Sequence, residues 1–517
     1  MPTLLFAALG SMGDVLFALQ LALHRAHLGD QIVFFTHSDH ISTFRHVHPE
    51  PAMRFRSCGT DGQLNSDLDH VSKHTRRQIE LARLAECRSL DFDLVVFNLF
   101  ALEAHALAEA ADVGSIAVSP FLPTHRPFAM PPTLWADIVT MTMEAADATD
   151  AVDAADSGEQ GGTCPAVESA RPVNADRSNA QTAICPPDFR LWIWRLCLDD
   201  IGRWRTSLGL PESVVSARQD HGALEYPDIP LLLPMNSRWA GSVPGAHVLG
   251  HFDPGQVFGR AEYAETNESE PPSNSGPETA EHDPILAFVN SNPQAPKVFV
   301  TFGSMETLCP ELAETHSPQP GDGPSVLCNF VRKVAFAMRL AGCHVLWQVT
   351  AGSPLTKALQ SAASDHIRVW DRPVSHSKYL PLFNAAVHHG GAGIVAACLC
   401  AGIKQIVVPL MFDQFDWAEK VQSEGVGRSL DWNDTTLVDW GDAIAWSLDR
   451  SDLAALERWQ SELDRDREEG VCLKRASAVV DGTLVEGPQR RIALLWDRKR
   501  SRSDKSFDPH EPTGKRR

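Results

Sequence analysis

No stretch of this chain stays apolar for the roughly 18 residues that a membrane-spanning helix needs, so stable insertion into a bilayer is not expected. The opening MPTLLFAALGSMGDV carries an apolar run without a preceding positive charge, and Asp14 stands where a leader's cleavage site would have to be. A soluble, cytoplasmic protein fits both absences. None of the 11 cysteines falls in a CxxC pair, which argues against a zinc site and a thioredoxin-like redox motif and leaves reduced thiols as the expectation. The body of the chain has no basic stripe interleaved with aromatics, and its formal net charge of −20 repels phosphate backbones. Nucleic acid is therefore not an expected partner. The one basic segment, Arg490 to Arg517, reads as a solvated terminus, with contact to an acidic surface or anionic lipid as the alternative. No internal repeat of fixed period is present.

A chain of 517 residues exceeds what one core usually supports, and 43% hydrophobic against 22% charged residues is a balance that can fill two. Leu4 to Leu9, Val15 to Leu28 and Gln31 to Thr36 alternate as strand, helix and strand, and Leu94 to Phe97, Leu102 to Ala111 and Ser115 to Ser119 repeat that order. The same alternation returns at Val298 to Phe302, Val326 to Leu340 and His344 to Val349. It continues through Ala385 to His388, Gly393 to Cys400, Ile406 to Pro409 and Phe415 to Ser423. Two α/β lobes with parallel sheets are predicted, spanning 1–260 and 285–485, with a linker at 261–284 and a basic tail at 486–517. Glu144 to Cys185 and Pro310 to Pro324 lack apolar periodicity and read as insertions. Trp192, Trp194 and Trp204 are expected to pack in a core or between lobes, or else to form an aromatic wall for a ligand.

Two such lobes hold ligands in the crevice at the C-terminal ends of their strands, so the strand-to-helix loops carry the chemistry. In HHGGAGI, His388 to Ile394, three glycines allow tight turning and close backbone approach, and the helix that follows presents unpaired N–H groups to an anion. The alternative use of such a turn is close helix-to-strand packing. Further on, Asp413 and Gln414 follow the strand ending at Pro409. Together they can accept from and donate to adjacent hydroxyls, or serve as a helix cap. Gly303 and Ser304 form a third loop with a small hydroxyl.

These three loops in this order carry a resemblance. Pro373 to Leu430, with HHGGAG, VVPL and FDQFDWAEKVQSEGVG, resembles the nucleotide-sugar signature of the UDP-glycosyltransferase superfamily. The closest look is to bacterial and fungal members acting on lipids, sterols, macrolides and other natural products. GSMGDV looks like the same family's acceptor-lobe opening. The resemblance implies a GT-B fold of two Rossmann-like lobes, with an acceptor in the first lobe, a nucleotide-sugar donor in the second, and inverting transfer without a metal or resident cofactor. It assigns the donor phosphates to Ser304, His389, Gly391, Gly393 and Ile394, and the donor sugar to Asp413 and Gln414. The nucleobase region falls at Pro373 and Val374, where the family's stacking aromatic is missing and Trp370 lies three residues before Pro373.

Inversion needs a base for the acceptor hydroxyl. Asp14 occupies the matching GDV motif and is the expected catalytic residue. A carboxylate beside a helix N-terminus is stabilised as the anion and weakened as a base, so capping the Val15 helix is its alternative use. A relay through His37 and Asp39 is the rival base. Asn98 stands where the family often has an Asp that orients a catalytic histidine. Phe121, Leu122, Phe128 and Met130 suggest a small hydrophobic acceptor. A donor-binding protein without turnover and a sugar-nucleotide epimerase are the alternatives. An oxidoreductase of Rossmann type is set aside because Gly10 to Gly13 lacks GxGxxG.

Overall fold

The computed structural model describes residues 1–47, 53–61, 70–119, 204–210, 229–240, 246–252, 283–308, 326–350, 353, 355–362, 366–372, 374–410, 413–432, 434–468 and 470–487. The insertions at 144–185 and 310–324, nearly all of the linker, the tail, Trp192, Trp194 and the apolar residues Phe121 to Met130 lie outside them.

The first sheet is built from β1 (Thr3–Ala7), β2 (Gln31–Thr36), β3 (Met53–Ser57), β4 (Leu94–Asn98), β5 (Gly114–Val118), β6 (Leu231–Leu233) and β7 (Ala246–Val248). Its helices are α1 (Met12–His27), α2 (Ser38–Val47), α3 (His70–Glu86), α4 (Glu103–Ala110) and the short α5 (Ser237–Ala240). The second sheet comprises β8 (Lys297–Thr301), β9 (His344–Gln348), β10 (Ile367–Trp370), β11 (Ala385–His388), β12 (Lys404–Val407) and β13 (Gly427–Ser429). Around it lie α6 (Pro284–Ser291), α7 (Met305–Leu308), α8 (Val326–Leu340), α9 (Leu355–Ala362) and α10 (His376–Tyr379). The chain goes on through α11 (Ala392–Ala401), α12 (Gln414–Ser423), α13 (Leu437–Leu448), α14 (Ala454–Glu468) and α15 (Val471–Glu486).

Every strand pair in both sheets is parallel. Parallel strands covered by helices on both faces bury side chains in both directions, which is why β1 and β4 read as unbroken apolar runs. The strand orders are β3-β2-β1-β4-β5-β6-β7 and β10-β9-β8-β11-β12-β13. Each sheet therefore reverses its winding between its first and fourth strands, β1 and β4 in one, β8 and β11 in the other. The loops that leave those strands splay to opposite sides and open a crevice.

The two lobes share a core. Trp239 of α5 packs against Trp417 of α12 with ring centroids 4.6 Å apart, and edge-on against Trp459 of α14 at 4.9 Å. Arg238 extends this joint with ion pairs to Glu424 at 2.7 Å and Glu462 at 3.4 Å. Trp204 joins the same apolar cluster and donates its indole N–H to the Glu103 carbonyl, so this ring serves core packing. Within the span expected to belong to the second lobe, α15 instead returns to the first: Cys472, Ala476 and Val480 pack with Leu4, Phe6 and Val15. Arg25 on α1, 4% exposed, secures that return through Asp30, Ser477 and Asp481.

Removing one partner from a buried charge pair leaves the other without compensation. Arg25→Ala is therefore expected to cost about 3 kcal/mol, read as a lower melting temperature. Asp481→Asn, whose side chain is 62% exposed, is expected to shift it far less.

Candidate active site

The loop after β1 is held from three directions. His37 Nε2 accepts from the Gly10 N–H at 3.0 Å, His40 Nε2 lies 3.0 Å from the Gly10 carbonyl, and Asn98 binds both polar groups of the Leu9 backbone. Asn98 Nδ2 also reaches the Asp14 carbonyl at 3.1 Å. Gly10 has φ +99°, and a Cβ there would meet Asp14 Oδ2 and Phe100 at 2.9 Å, so this turn requires glycine. Asn98 thus fixes the Asp14 backbone where an oriented catalytic histidine was the family's alternative.

Helix α1 begins at Met12 with Ser11 as its cap, three residues before the expected Val15 start. Asp14 is consequently in the first turn, where its Oδ2 accepts from Ser11 N at 2.8 Å and Ser11 Oγ at 2.7 Å. These bonds favour the anion, as expected beside a helix N-terminus. Burial in the cleft outweighs them, however, and the carboxyl is pushed up to about 6. The expectation of a weakened base is thereby corrected: desolvation dominates the helix end.

His37 is committed elsewhere. Its Nε2 serves Gly10, while Nδ1 lies 3.1 Å from both Thr60 Oγ1 and Cys58 Sγ. Burial holds it down at about 4, and Asp39 sits beside His40 at 3.6 Å. The structure therefore gives no free histidine relay at this position. His37, Cys58 and Glu80 do bring ligand-type atoms within 4.8 Å of one another. The Thr60 hydroxyl already occupies the space among them, 2.7 Å from Glu80 Oε1 and 3.2 Å from Cys58 Sγ, and Arg76 and Arg77 pair with the Glu80 carboxylate. The cluster is satisfied as a hydrogen-bond network.

In the second lobe, His388 shapes the glycine turn. Its Nδ1 accepts from the Gly390 N–H at 3.0 Å and its Nε2 meets Gln405 Oε1 at 2.9 Å. Gly390 has φ +92°, and a Cβ on it would strike Val407 at 2.7 Å. Gly391 then caps α11 without a side chain, so the N–H groups of Ala392, Gly393 and Ile394 lack intrahelical acceptors. Around Gly393 a Cβ would meet nothing within 4 Å, so the turn is open on its ligand side, whereas the Ile394 side chain is buried in the core at 6% exposure. His389 lies over Gly391, whose Cβ would approach its Nε2 to 2.6 Å. Its Nδ1 is buried without a partner, and burial with the neighbouring His376 holds the ring down at about 4. A standing positive charge on His389 is thus excluded at neutral pH in the ligand-free site.

Gly303 and Ser304 lie across the sheet, with the Gly303 Cβ position 3.5 Å from His389. Glu306, one turn on, is fully buried: its Oε2 accepts from Thr350 N at 2.8 Å while Thr350 Oγ1 donates to the Gly303 carbonyl at 3.1 Å. This tie between the loops after β8 and β9 escaped the sequence reading, although a lone Glu beside GS was its one available signal. Val374 is buried among Phe299, Leu346 and Leu380, with Trp370 partly buried at the edge of that cluster.

Asp413 and Gln414 are each 4% exposed. Asp413 Oδ2 accepts from the Trp417 indole N–H at 2.9 Å, and burial together with the facing Asp14 pushes its carboxyl up to about 8. Gln414 Oε1 accepts from Leu410 N, and its Nε2 donates to Met305 Sδ, both at 2.9 Å. The fold thus gathers Asp14, Asp413, the α11 turn and Ser304 at one cleft, while the Val374 side chain belongs to the wall behind it.

This two-lobed arrangement is the GT-B fold. The glycotransferase of kitacinnamycin superposes with a TM-score of 0.54 at 15% identity, covering 93% of this chain and 99% of that one. The spinosyn forosaminyltransferase SpnP gives 0.54 at 14%, covering 94% and 99%. A family model described as the erythromycin biosynthesis protein CIII-like C-terminal domain matches residues 354–455. The terpene cyclase-glycosyl transferase fusion protein fsoA of Humicola fuscoatra is 31% identical over 143 residues, 28% of this chain and 9% of that protein. A sterol 3-beta-glucosyltransferase of Cryptococcus neoformans is 47% identical over 57 residues, 11% of this chain and 4% of that protein. The chain therefore spans less than a tenth of these two relatives. The fold is thus shared with these solved glycosyltransferases, and residues 354–455 are similar to the family model's C-terminal domain. Among the described residues no helix is long and apolar enough to cross a membrane.

The raised carboxyl of Asp413 has a signed consequence. Between the ordinary carboxyl value of 3.8 and about 8, the folded protein holds a proton that the unfolded chain releases, so stability from this group is lost as pH rises through that window. Asp413→Asn removes the titration. Its melting temperature relative to wild type is expected to climb across the window and level off above it, and parallel melting curves for the two proteins would contradict the assignment.

Proposed function

We propose that the protein is an inverting glycosyltransferase that moves a sugar from a nucleoside diphosphate sugar, UDP-sugar by the superfamily's habit, to a hydroxyl of a small, hydrophobic acceptor. The observation that carries this reading is the open turn at Gly391 to Ile394, where the first N–H groups of α11 lack intrahelical acceptors and a side chain on Gly393 would meet nothing within 4 Å. A diphosphate seated there would meet a helix N-terminus and His389, whose Nδ1 has no protein partner. Ser304 adds a hydroxyl from the adjoining loop. A diphosphate in LpCGTa, solved with UDP at a TM-score of 0.53, belongs to a protein of the same fold, which supports UDP as the first nucleotide to try.

In the proposed reaction the acceptor oxygen attacks the anomeric carbon as the bond to the diphosphate oxygen breaks on the opposite face. Asp14 takes the acceptor proton, and the charge left on the diphosphate is met by the α11 N–H groups and His389. A base must be unprotonated yet proton-hungry, and a carboxyl at about 6 satisfies both near neutral pH. Asp413 and Gln414 would hold the sugar hydroxyls. The Gln414 amide gives an N–H to a thioether, a weak acceptor, and a sugar oxygen would be a stronger acceptor for it. Asp413, which retains its proton up to about 8, can donate as well as accept.

A mass-spectrometric screen of hydroxylated apolar acceptors against several sugar nucleotides tests the reading, with the anomeric configuration of any product read by NMR. Retention of configuration, or failure to bind any nucleoside diphosphate, would overturn it. Asp14→Asn is expected to abolish transfer while leaving donor affinity intact. Wild-type kcat/KM should fall about tenfold per pH unit below a midpoint near 6, because only the ionised carboxylate accepts the proton. His389→Ala should raise the donor Kd about tenfold, and an unchanged Kd would remove His389 from the site.

A further inference from the structure

Three indoles meet at the joint between the lobes, and they differ in one respect. Trp239 and Trp459 are buried with N–H groups that have no hydrogen-bond partner, whereas the third, Trp417, gives its N–H to Asp413 Oδ2 at 2.9 Å. Trp417 is 4% exposed, and it stands one helical turn after Asp413, so the bond spans a single turn at the start of α12. Its ring is fixed by Trp239 at 4.6 Å, and Trp239 by Trp459 at 4.9 Å, with Arg238 stacked on Trp459 at 5.1 Å. The carboxylate is thus held by a donor that has no rotational freedom of its own, because the joint packs it on the far side.

We propose that Trp417 is a positioning residue for the donor sugar: its indole N–H fixes one oxygen of Asp413 so that the other faces the cleft. This rests on the reading of Asp413 as a sugar contact. The physical argument is one of orientation. An aspartate carboxyl has a broad torsional well, and a carboxyl that must meet particular sugar hydroxyls loses affinity when it is free to turn. A rigid neutral donor sets the angle without adding a second charge beside Asp14 and Asp413. The superfamily resemblance assigned Asp413 and Gln414 and no role to the tryptophan that follows them.

Two measurements on the 517-residue chain test this, with Trp417→Phe as the variant, since Phe keeps an aromatic ring at the joint and removes the N–H, losing some ring volume. In the ligand-free protein labelled with 15N-tryptophan, the indole resonance missing from the Trp417→Phe spectrum is expected to move with pH through a midpoint near 8 and to lose that movement in Asp413→Asn. In calorimetry, Trp417→Phe is expected to bind UDP as wild type does and UDP-glucose about tenfold more weakly, the worth of one hydrogen bond to a polar sugar contact. Conversely, an indole resonance indifferent to Asp413, or a variant that melts lower yet binds UDP-glucose as tightly as wild type, would overturn the positioning role and leave Trp417 a packing residue. Wild type that binds neither UDP nor UDP-glucose would instead remove the donor-site reading, and the spectroscopic result would still decide whether Trp417 holds Asp413.

Discussion

Asp14 and Asp413 come from different lobes and lie near enough that the charge of Asp14 raises the cost of ionising Asp413. Burial is the larger cause for both: Asp14 moves up to about 6 and Asp413 to about 8. The order matters. Asp14 keeps two hydrogen bonds from Ser11 that favour its anion, while Asp413, bonded by Trp417 and its own backbone, has the charge of Asp14 against it. The two carboxyls therefore differ in how readily they release a proton, Asp14 more easily than Asp413, which is the kind of difference the proposed roles require.

That division depends on the backbone around it. The loop after β1 holds its shape because His37, His40 and Asn98 take up the polar groups of Leu9 and Gly10. The turn after β11 holds its shape because His388 accepts the Gly390 N–H. Each loop leaves one of the two strands flanking a winding reversal, the place where neighbouring loops separate and a ligand can enter. The same logic applies to Glu306, which ties the loop after β9 to the one after β8.

Much of this frame was legible in the sequence. Buried parallel strands leave apolar runs, and β2, β11 and α8 match their predicted bounds, because burial on both faces writes itself into local composition. What escaped were edge elements such as β3, MRFRS, and β13, GRS, which are half exposed and too short or too polar to stand out. The return of α15 to the first lobe was also hidden: amphipathicity marks a buried face but not its partner. At the site, HHGGAGI and DQ announced themselves by residue type. The direction of the Asp14 shift did not, since a sequence reveals a helix N-terminus beside the carboxylate but not the depth of the cleft. Trp417 was visible only as part of a Trp-containing helix, since its bond to Asp413 depends on a joint with Trp239, nearly 180 positions away in the chain.

Three histidines around the α11 turn of the second lobe are kept neutral near pH 7. His376, His388 and His389 are all held low by burial, and charge on any of them opposes charge on its neighbours. In the proposed reading, a phosphate at the α11 turn would reverse that balance for His389, whose Nδ1 has no protein partner, by giving the ring a favourable charge partner. Neutral in isolation and chargeable on demand, such a group avoids the cost of a bare buried cation in the free protein. In the proposed reaction this would place electrostatic stabilisation where negative charge develops, on the oxygen that leaves with the diphosphate.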